Sequence, residues 1–237
     1  MNLESHLFIS KLVYNEIVKV FPIHINKTLF RAGNVLADYS LLVFTHPHYY
    51  TVSADYVEDY IKKVCAIATP EDAVEADKLL SFQLGIICHY ITDFFCRAHI
   101  GSGIGKKREH LQYEDFLDNY RNSVAERLEA QDWLAGFSAY DRAEEVISAL
   151  RERVEEYRAL PASPERDITM AIDSCVKTMI SIVAIRLKQA VRQDLQVMHN
   201  FSVKNLKLPK LNFTELYEMV RKRNYQRVVR VLQTEEN

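Results

Sequence analysis

Between Leu79 and Phe95 the chain places Leu79, Leu80, Phe82, Leu84, Ile86, Ile87, Cys88, Tyr90, Ile91, Phe94 and Phe95 so that no polar face remains. A helix apolar all round has to be buried, so the rest of the chain must wrap it with other elements. The same stretch carries His89 and Asp93, and no Lys or Arg lies between Lys78 and Arg97. On a helix His89 and Asp93 are i and i+4 and share one face. Burying a carboxylate without a partner costs several kcal/mol or forces it to neutralise. A divalent cation removes that cost, and imidazole with carboxylate suits zinc. The alternative is an arginine from another helix facing Asp93, with His89 a satisfied core histidine.

The next residues favour the metal. His99 follows, and His110 with Glu114 repeats the i, i+4 spacing, giving His89, Asp93, His99, His110 and Glu114 as candidate ligands in one short segment. Upstream, His6 and Asp38 join the set, with His46 or His48 in Thr45-His46-Pro47-His48-Tyr49-Tyr50. Eight ligands are too many for one tetrahedral ion and suit a cluster of two or three. His24 and His199 lie outside these segments.

Elsewhere the pattern is helical. Gly and Pro number only six each in 237 residues, and no strand alternation or internal repeat is evident. Leu7, Phe8, Leu12, Ile17 and Val20 predict a first helix ending near Pro22. Asn26 caps a second that runs to about Asp38 and turns Leu29, Phe30, Val35 and Leu36 inward, with Gly33 marking close packing. Tyr39 to Val52 reads as a ligand-rich loop. Ser53 caps a third helix to Ala68. Thr69-Pro70-Glu71-Asp72 starts the buried fourth: cap, Pro at the first position, acids in the first turn. Gly101-Ser102-Gly103-Ile104-Gly105-Lys106-Lys107-Arg108 ends it, as a solvated connector or a phosphate-holding loop. A fifth helix runs toward residue 129, Asp141 opens a sixth, Ser163-Pro164-Glu165 opens a seventh reaching Asn200, and Asn212 or Thr214 opens a basic eighth. The expected fold is all-α, about eight helices around one core in a single domain over residues 1–237.

Charge and cysteines narrow the partners. A formal net charge of -2 lacks the basic excess of a chain that relies on phosphate contacts, so no stable nucleic-acid partner is expected. Cys65, Cys88, Cys96 and Cys175 show no pairing pattern and read as small hydrophobes, Cys88 and Cys96 within the buried helix. With no secretory signal pattern and no run of some 18 apolar residues, a cytoplasmic location and no transmembrane segment are expected.

Taken in order, these motifs resemble the zinc-dependent phospholipase C family, an all-helical group related to plant and fungal single-strand nucleases. Its His-x-x-x-Asp with a His six residues on matches His89, Asp93 and His99, and its later His-x-x-x-Glu matches His110 and Glu114. Its early His matches His6, its Asp after a Gly-containing helix matches Asp38, and its intervening His is most similar to His48, with His46 the second choice. The matching motifs span roughly residues 1 to 120, and residues 121–237 would supply supporting helices.

The resemblance implies two or three zinc ions. Asp38, His48, His89 and Asp93 would hold one, His99, His110 and Glu114 a second, and His6 with a bridging Asp93 the third. In the family the third ion is completed by the amino group and carbonyl of an N-terminal Trp. Here Met1 stands five residues before His6 and the single Trp is Trp133, so the third ion is expected to be weakly held, completed by water or another side chain, or absent. The implied activity is phosphate-ester hydrolysis by a metal-bridged water, with a phospholipid diester the favoured substrate and Asp38 the candidate base or simply a ligand. Soluble phosphate esters and single-stranded nucleic acid are the other substrates to consider, and a non-catalytic zinc-held structural domain is the competing class.

Overall fold

The computed structural model describes residues 1–21, 25–39, 45–67, 73–100 and 107–200, the side chains at 39, 73–77, 107 and 190–200 apart. Its helices are α1 (Leu3–Val20), α2 (Lys27–Tyr39), α3 (Tyr50–Ala66), α4 (Ala73–Phe94), α5 (Lys107–Ala130), α6 (Ala143–Ala159) and α7 (Pro164–Asn200), with a short 3-10 turn at Arg97–His99 after α4. No strand occurs among the described residues, and the all-α expectation holds. The expected start at Thr69–Asp72, the Gly-rich loop at 101–106 and the eighth helix lie outside the described residues.

Local chemistry sets most of the boundaries. The Asn2 side chain accepts the Ser5 N–H at 3.0 Å to open α1, and Asn26 Oδ1 accepts the Leu29 N–H at 3.0 Å to open α2. Pro164 occupies the first position of α7, where its missing N–H is harmless, and the Asp167 N–H donates to the Ser163 carbonyl at 2.9 Å. Two expected starts move. Helix α3 begins at Tyr50, because the chain turns as soon as it leaves Pro47: the Tyr49 N–H donates to the Pro47 carbonyl at 2.8 Å and the Ser53 N–H to the Tyr49 carbonyl at 3.0 Å. Ser53 therefore sits inside the helix, its hydroxyl donating back to Pro47 rather than capping. Helix α6 begins at Ala143, with the Glu145 carboxylate accepting the Asp141 N–H.

Helix α4 is the buried axle that its composition demanded. From Leu80 to Phe95 its side chains are buried apart from partly covered Phe82, while Leu79 turns outward. Around it pack α1, α2, α3 and α7. The closest pairing is with α2, and glycines make it possible. A Cβ on Gly33 would stand 2.1 Å from the Phe82 carbonyl oxygen, and one on Gly85 would stand 2.1 Å from that of Phe30. The inner face of α2 is consequently Phe30, Gly33, Asn34 and Ala37, at helical spacing, and Leu36 faces out, 47% exposed.

Helix α7 closes the other side, touching α1, α3, α4, α5 and α6. Arg186 of α7 donates to the carbonyls of Val64 (2.8 Å) and Ile67 (3.0 Å), satisfying the C-terminal end of α3. Residues Pro164–Gln189 are long and apolar enough to cross a membrane by length and composition, but 83% of the most apolar 18-residue window within them is buried against the other helices. It reads as the core helix of a bundle.

Candidate metal centre

Ligand-bearing positions from separate elements meet at one end of α4. His6 comes from α1, Asp38 from the last turn of α2, His48 from the turn before α3, His89 and Asp93 from α4, His99 from the 3-10 turn, and His110 with Glu114 from α5. All are buried except Asp38 and His110, which are partly exposed. His46 is turned away: its ring stacks on Tyr56 with centroids 3.8 Å apart, and its carbonyl accepts the Tyr90 hydroxyl. Of the two histidines flanking Pro47, His48 is the one in the cluster.

Asp93 lies at the centre, and its two oxygens face different partners. Oδ2 lies 3.2 Å from His48 Nδ1 and 3.3 Å from His89 Nε2. Oδ1 lies 3.2 Å from His6 Nε2 and 3.8 Å from His99 Nε2, and contacts the amino group of Met1. Among the described residues no arginine or lysine side chain pairs with Asp93, whose neighbours are histidines and the Met1 amine. The rings are packed to match, His6 stacking on His89 at 4.1 Å and His48 meeting it edge-on at 4.5 Å.

Distances among the first four donors fit an ion. A tetrahedral ion with ligands at about 2.0–2.1 Å sets its ligand atoms about 3.3 Å apart. His48 Nδ1 is 3.0 Å from His89 Nε2 and 3.2 Å from Asp38 Oδ1, His89 Nε2 is 3.6 Å from Asp38 Oδ1, and both nitrogens are 3.2 to 3.3 Å from Asp93 Oδ2. Five of the six edges of such a tetrahedron are therefore near their ideal length. Asp93 Oδ2 and His6 Nε2 are buried and make no hydrogen bond despite these short approaches. Close donors whose lone pairs fail to form hydrogen bonds are what convergence on a common third point produces. These residues fit zinc.

A second group adjoins the first. Glu114 Oε1 lies 3.0 Å from His99 Nε2 and 3.2 Å from His110 Nε2. His99 Nδ1 lies 3.1 Å from the His48 carbonyl, the bond through which a liganding histidine fixes its tautomer and leaves Nε2 to a metal. Two further groups join here that the sequence alone does not single out. The Met1 nitrogen is 3.2 Å from both His99 Nε2 and Glu114 Oε1. Cys96, expected inside the buried helix, lies just beyond its end, and its Sγ falls within 4.8 Å of the donor atoms of His99 and Glu114. The signal for Cys96 was present as Asp93-x-x-Cys96-x-x-His99. Nothing in sequence marks a backbone amine as a neighbour of a residue ninety positions away.

The electrostatics are those of a cluster of lone-pair donors. Burial alone would lower the His48 pKa, but the carboxylates of Asp38 and Asp93 carry it up to about 9. Burial and then the neighbouring His89 push His6 down to about 4. Burial works against the charge on Glu114, yet hydrogen bonds to His110 and His99 hold its pKa well below the carboxylate range. Burial opposes the Met1 ammonium too, and Asp93 outweighs it, raising that amine to about 12.

The family profile described as zinc dependent phospholipase C matches residues 5–163, most of the chain and all eight of the clustered side chains. The chain belongs to the zinc-dependent phospholipase C family. No curated protein and no solved structure matches it significantly. Membership in the phospholipase C family agrees with the zinc that the donor distances fit, and Met1 and the whole of α7 lie outside the matched residues.

Proposed function

We propose that the protein is a zinc-dependent phosphoesterase, a phospholipase C-like phosphodiester hydrolase. The observation that carries this reading is the two-sided burial of Asp93, one oxygen in a near-tetrahedral set with Asp38, His48 and His89, the other toward His6 and the His99–Glu114 group. Asp38, His48, His89 and Asp93 would hold one ion, His99, His110 and Glu114 a second, and His6 with Asp93 a third. Where Met1 carries a free amine, that nitrogen stands beside Asp93, His99 and Glu114 and would help to hold the third ion in place of the family's N-terminal Trp. Zinc bound there supplies a water of lowered pKa and positive charge to hold phosphoryl oxygens.

The chain's own residues do the rest. Asp38 is the most solvent-accessible carboxylate of the set, its side chain 34% exposed. Burial raises its pKa but the His48 hydrogen bond outweighs that, so it is a carboxylate at neutral pH and can accept a proton from an incoming water. His48, facing both Asp38 and Asp93, keeps that carboxylate oriented. The ring stack of His6 on His89 and the enclosing α4 exclude water from the inner side, so substrate reaches the donors from the side of Asp38 and His110.

The decisive experiment measures zinc per chain, then turnover of a phosphocholine diester, a simple phosphomonoester and single-stranded DNA before and after chelation. Chelator-sensitive cleavage of the diester is expected. Zinc bound with no chelator-sensitive turnover on any of the three would replace this reading with a structural zinc domain, and cleavage confined to the monoester or DNA would move the substrate class.

A further inference from the structure

We propose that Asp167, on a helix that bears none of the proposed ligands, is the positioning residue that holds His99 and Glu114 in place for the second ion. The proposal rests on the reading of those two residues as ligands.

The 3-10 turn Arg97–His99 has no cap of its own, since Cys96 stands at its N-terminal position without a side-chain hydrogen bond. Its first N–H is an orphan donor of the kind every helix start leaves. Asp167, in the first turn of α7, supplies the acceptor from another helix: its Oδ2 receives the Arg97 N–H at 2.9 Å. The same oxygen receives the Tyr113 hydroxyl of α5 at 2.8 Å, and Oδ1 receives the Tyr157 hydroxyl of α6 at 2.7 Å. Arg97 is two residues before His99, and Tyr113 is the residue before Glu114. One carboxylate thus ties the two chain segments that must bring His99 Nε2 and Glu114 Oε1 to 3.0 Å.

The group is fully enclosed, with Asp167 at 0% exposure. A buried carboxylate is poor material for stability alone, and an apolar side chain there would serve a core better. Its three donors come from three elements, which is how a remote residue fixes the orientation of metal ligands, and loss of such a partner typically costs about 10- to 100-fold in metal affinity. Asparagine replaces it only in part, because its single acceptor oxygen is neutral and its NH2 group forces the Tyr157 hydroxyl to turn from donor to acceptor.

The test compares stepwise zinc affinities of the full chain by competition with a chromophoric chelator, with His110→Ala identifying the step that belongs to the second ion. Asp167→Asn should weaken that step about 10- to 100-fold and leave the others at their wild-type values, with helix content and melting of the zinc-loaded protein recorded alongside. Tyr113→Phe removes one hydroxyl from a half-buried residue and should weaken the same step by at least about threefold; it decides the matter if Asp167→Asn does not fold. Unchanged affinities in the variants, or all steps weakening together with melting, overturn the proposal while leaving the zinc reading intact. A wild-type chain that binds no zinc overturns the zinc reading, and this proposal with it.

Discussion

Replacing Gly33 with alanine should disrupt the metal centre from a distance, because α2 is the arm that carries Asp38 and Gly33 is its point of contact with α4. The added Cβ would stand 2.1 Å from the Phe82 carbonyl oxygen, a backbone atom of a buried helix that cannot swing aside. A carbon to oxygen contact is comfortable at about 3.3 Å, so the helices must part by about 1.2 Å. Overpacking of this kind costs about 1–3 kcal/mol or more. Alanine returns about 1 kcal/mol of helix propensity over glycine, and because the clash is with backbone the cost belongs at the upper end of that range, leaving a net loss of about 2 kcal/mol. Asp38 lies five residues on, about 7.5 Å along the same rigid helix, and should move by a comparable distance. Its 3.2 Å approach to His48 would lengthen toward about 4 Å, and a misplacement of about 1 Å can cost about 100-fold in turnover. Urea unfolding with and without chelator, together with zinc content and diester turnover, reads all three effects. Gly85→Ala should behave alike, and the double variant should lose less than the sum of the two, since one separation relieves both contacts. A Gly33→Ala protein with wild-type unfolding midpoint and zinc content would refute the reasoning.

Four other outcomes follow from the same geometry. Gly136, with φ of 69° and nothing within 4 Å of where a Cβ would stand, is the control: alanine there should cost about 1 kcal/mol through the left-handed backbone and leave zinc binding untouched, as unfolding and metal analysis would report. Zinc uptake at pH 7 should release protons, because the ion-free protein holds His48 protonated up to about pH 9; calorimetry in buffers of different ionisation enthalpy should give different heats, and identical heats would refute it. In the chelated protein His48 contributes stability fully below about pH 6.5, its unfolded value, and loses it as pH rises through 9, whereas His6, depressed to about 4, adds stability as pH rises from 4 to 6.5; the urea midpoint should therefore peak near pH 6.5 to 7, and a midpoint still climbing to pH 9 would contradict the assignment. Asp93→Asn should lose zinc and at least about 2 kcal/mol together, since it removes the buried negative charge that faces His6, His48, His89 and the Met1 amine, and unchanged zinc content would remove Asp93 from the centre.

Helical spacing makes much of the centre legible from sequence. His89 with Asp93 and His110 with Glu114 can be paired because i and i+4 share a face whatever the tertiary fold, and both pairs do lie together. The burial of α4 is likewise written in its lack of a polar side. What fails is the inference from hydrophobicity to direction in α2. Apolar character points Leu36 inward, yet the face is chosen by small residues that permit a close backbone approach, which puts Gly33, Asn34 and Ala37 against α4 and Leu36 in solvent. Ser53 misleads for a related reason: a good capping side chain matters only where the chain has not already turned, and Pro47 with Tyr49 turns it three residues earlier. Met1 and Asp167 meet the centre through contacts between elements far apart in the chain, and no periodicity announces those.

The extent of α7 bears on how the chain can be divided. The family pattern ends at residue 163, one position before this helix begins, so a fragment cut to the matched segment would retain every clustered histidine and carboxylate. It would also strip the cover from α1, α3, α4, α5 and α6 at once and leave the final carbonyls of α3 without Arg186. Such a fragment carries the motif but not the interior that motif is mounted on, and the smallest piece able to hold its ligands in register has to reach well into α7, past Arg186.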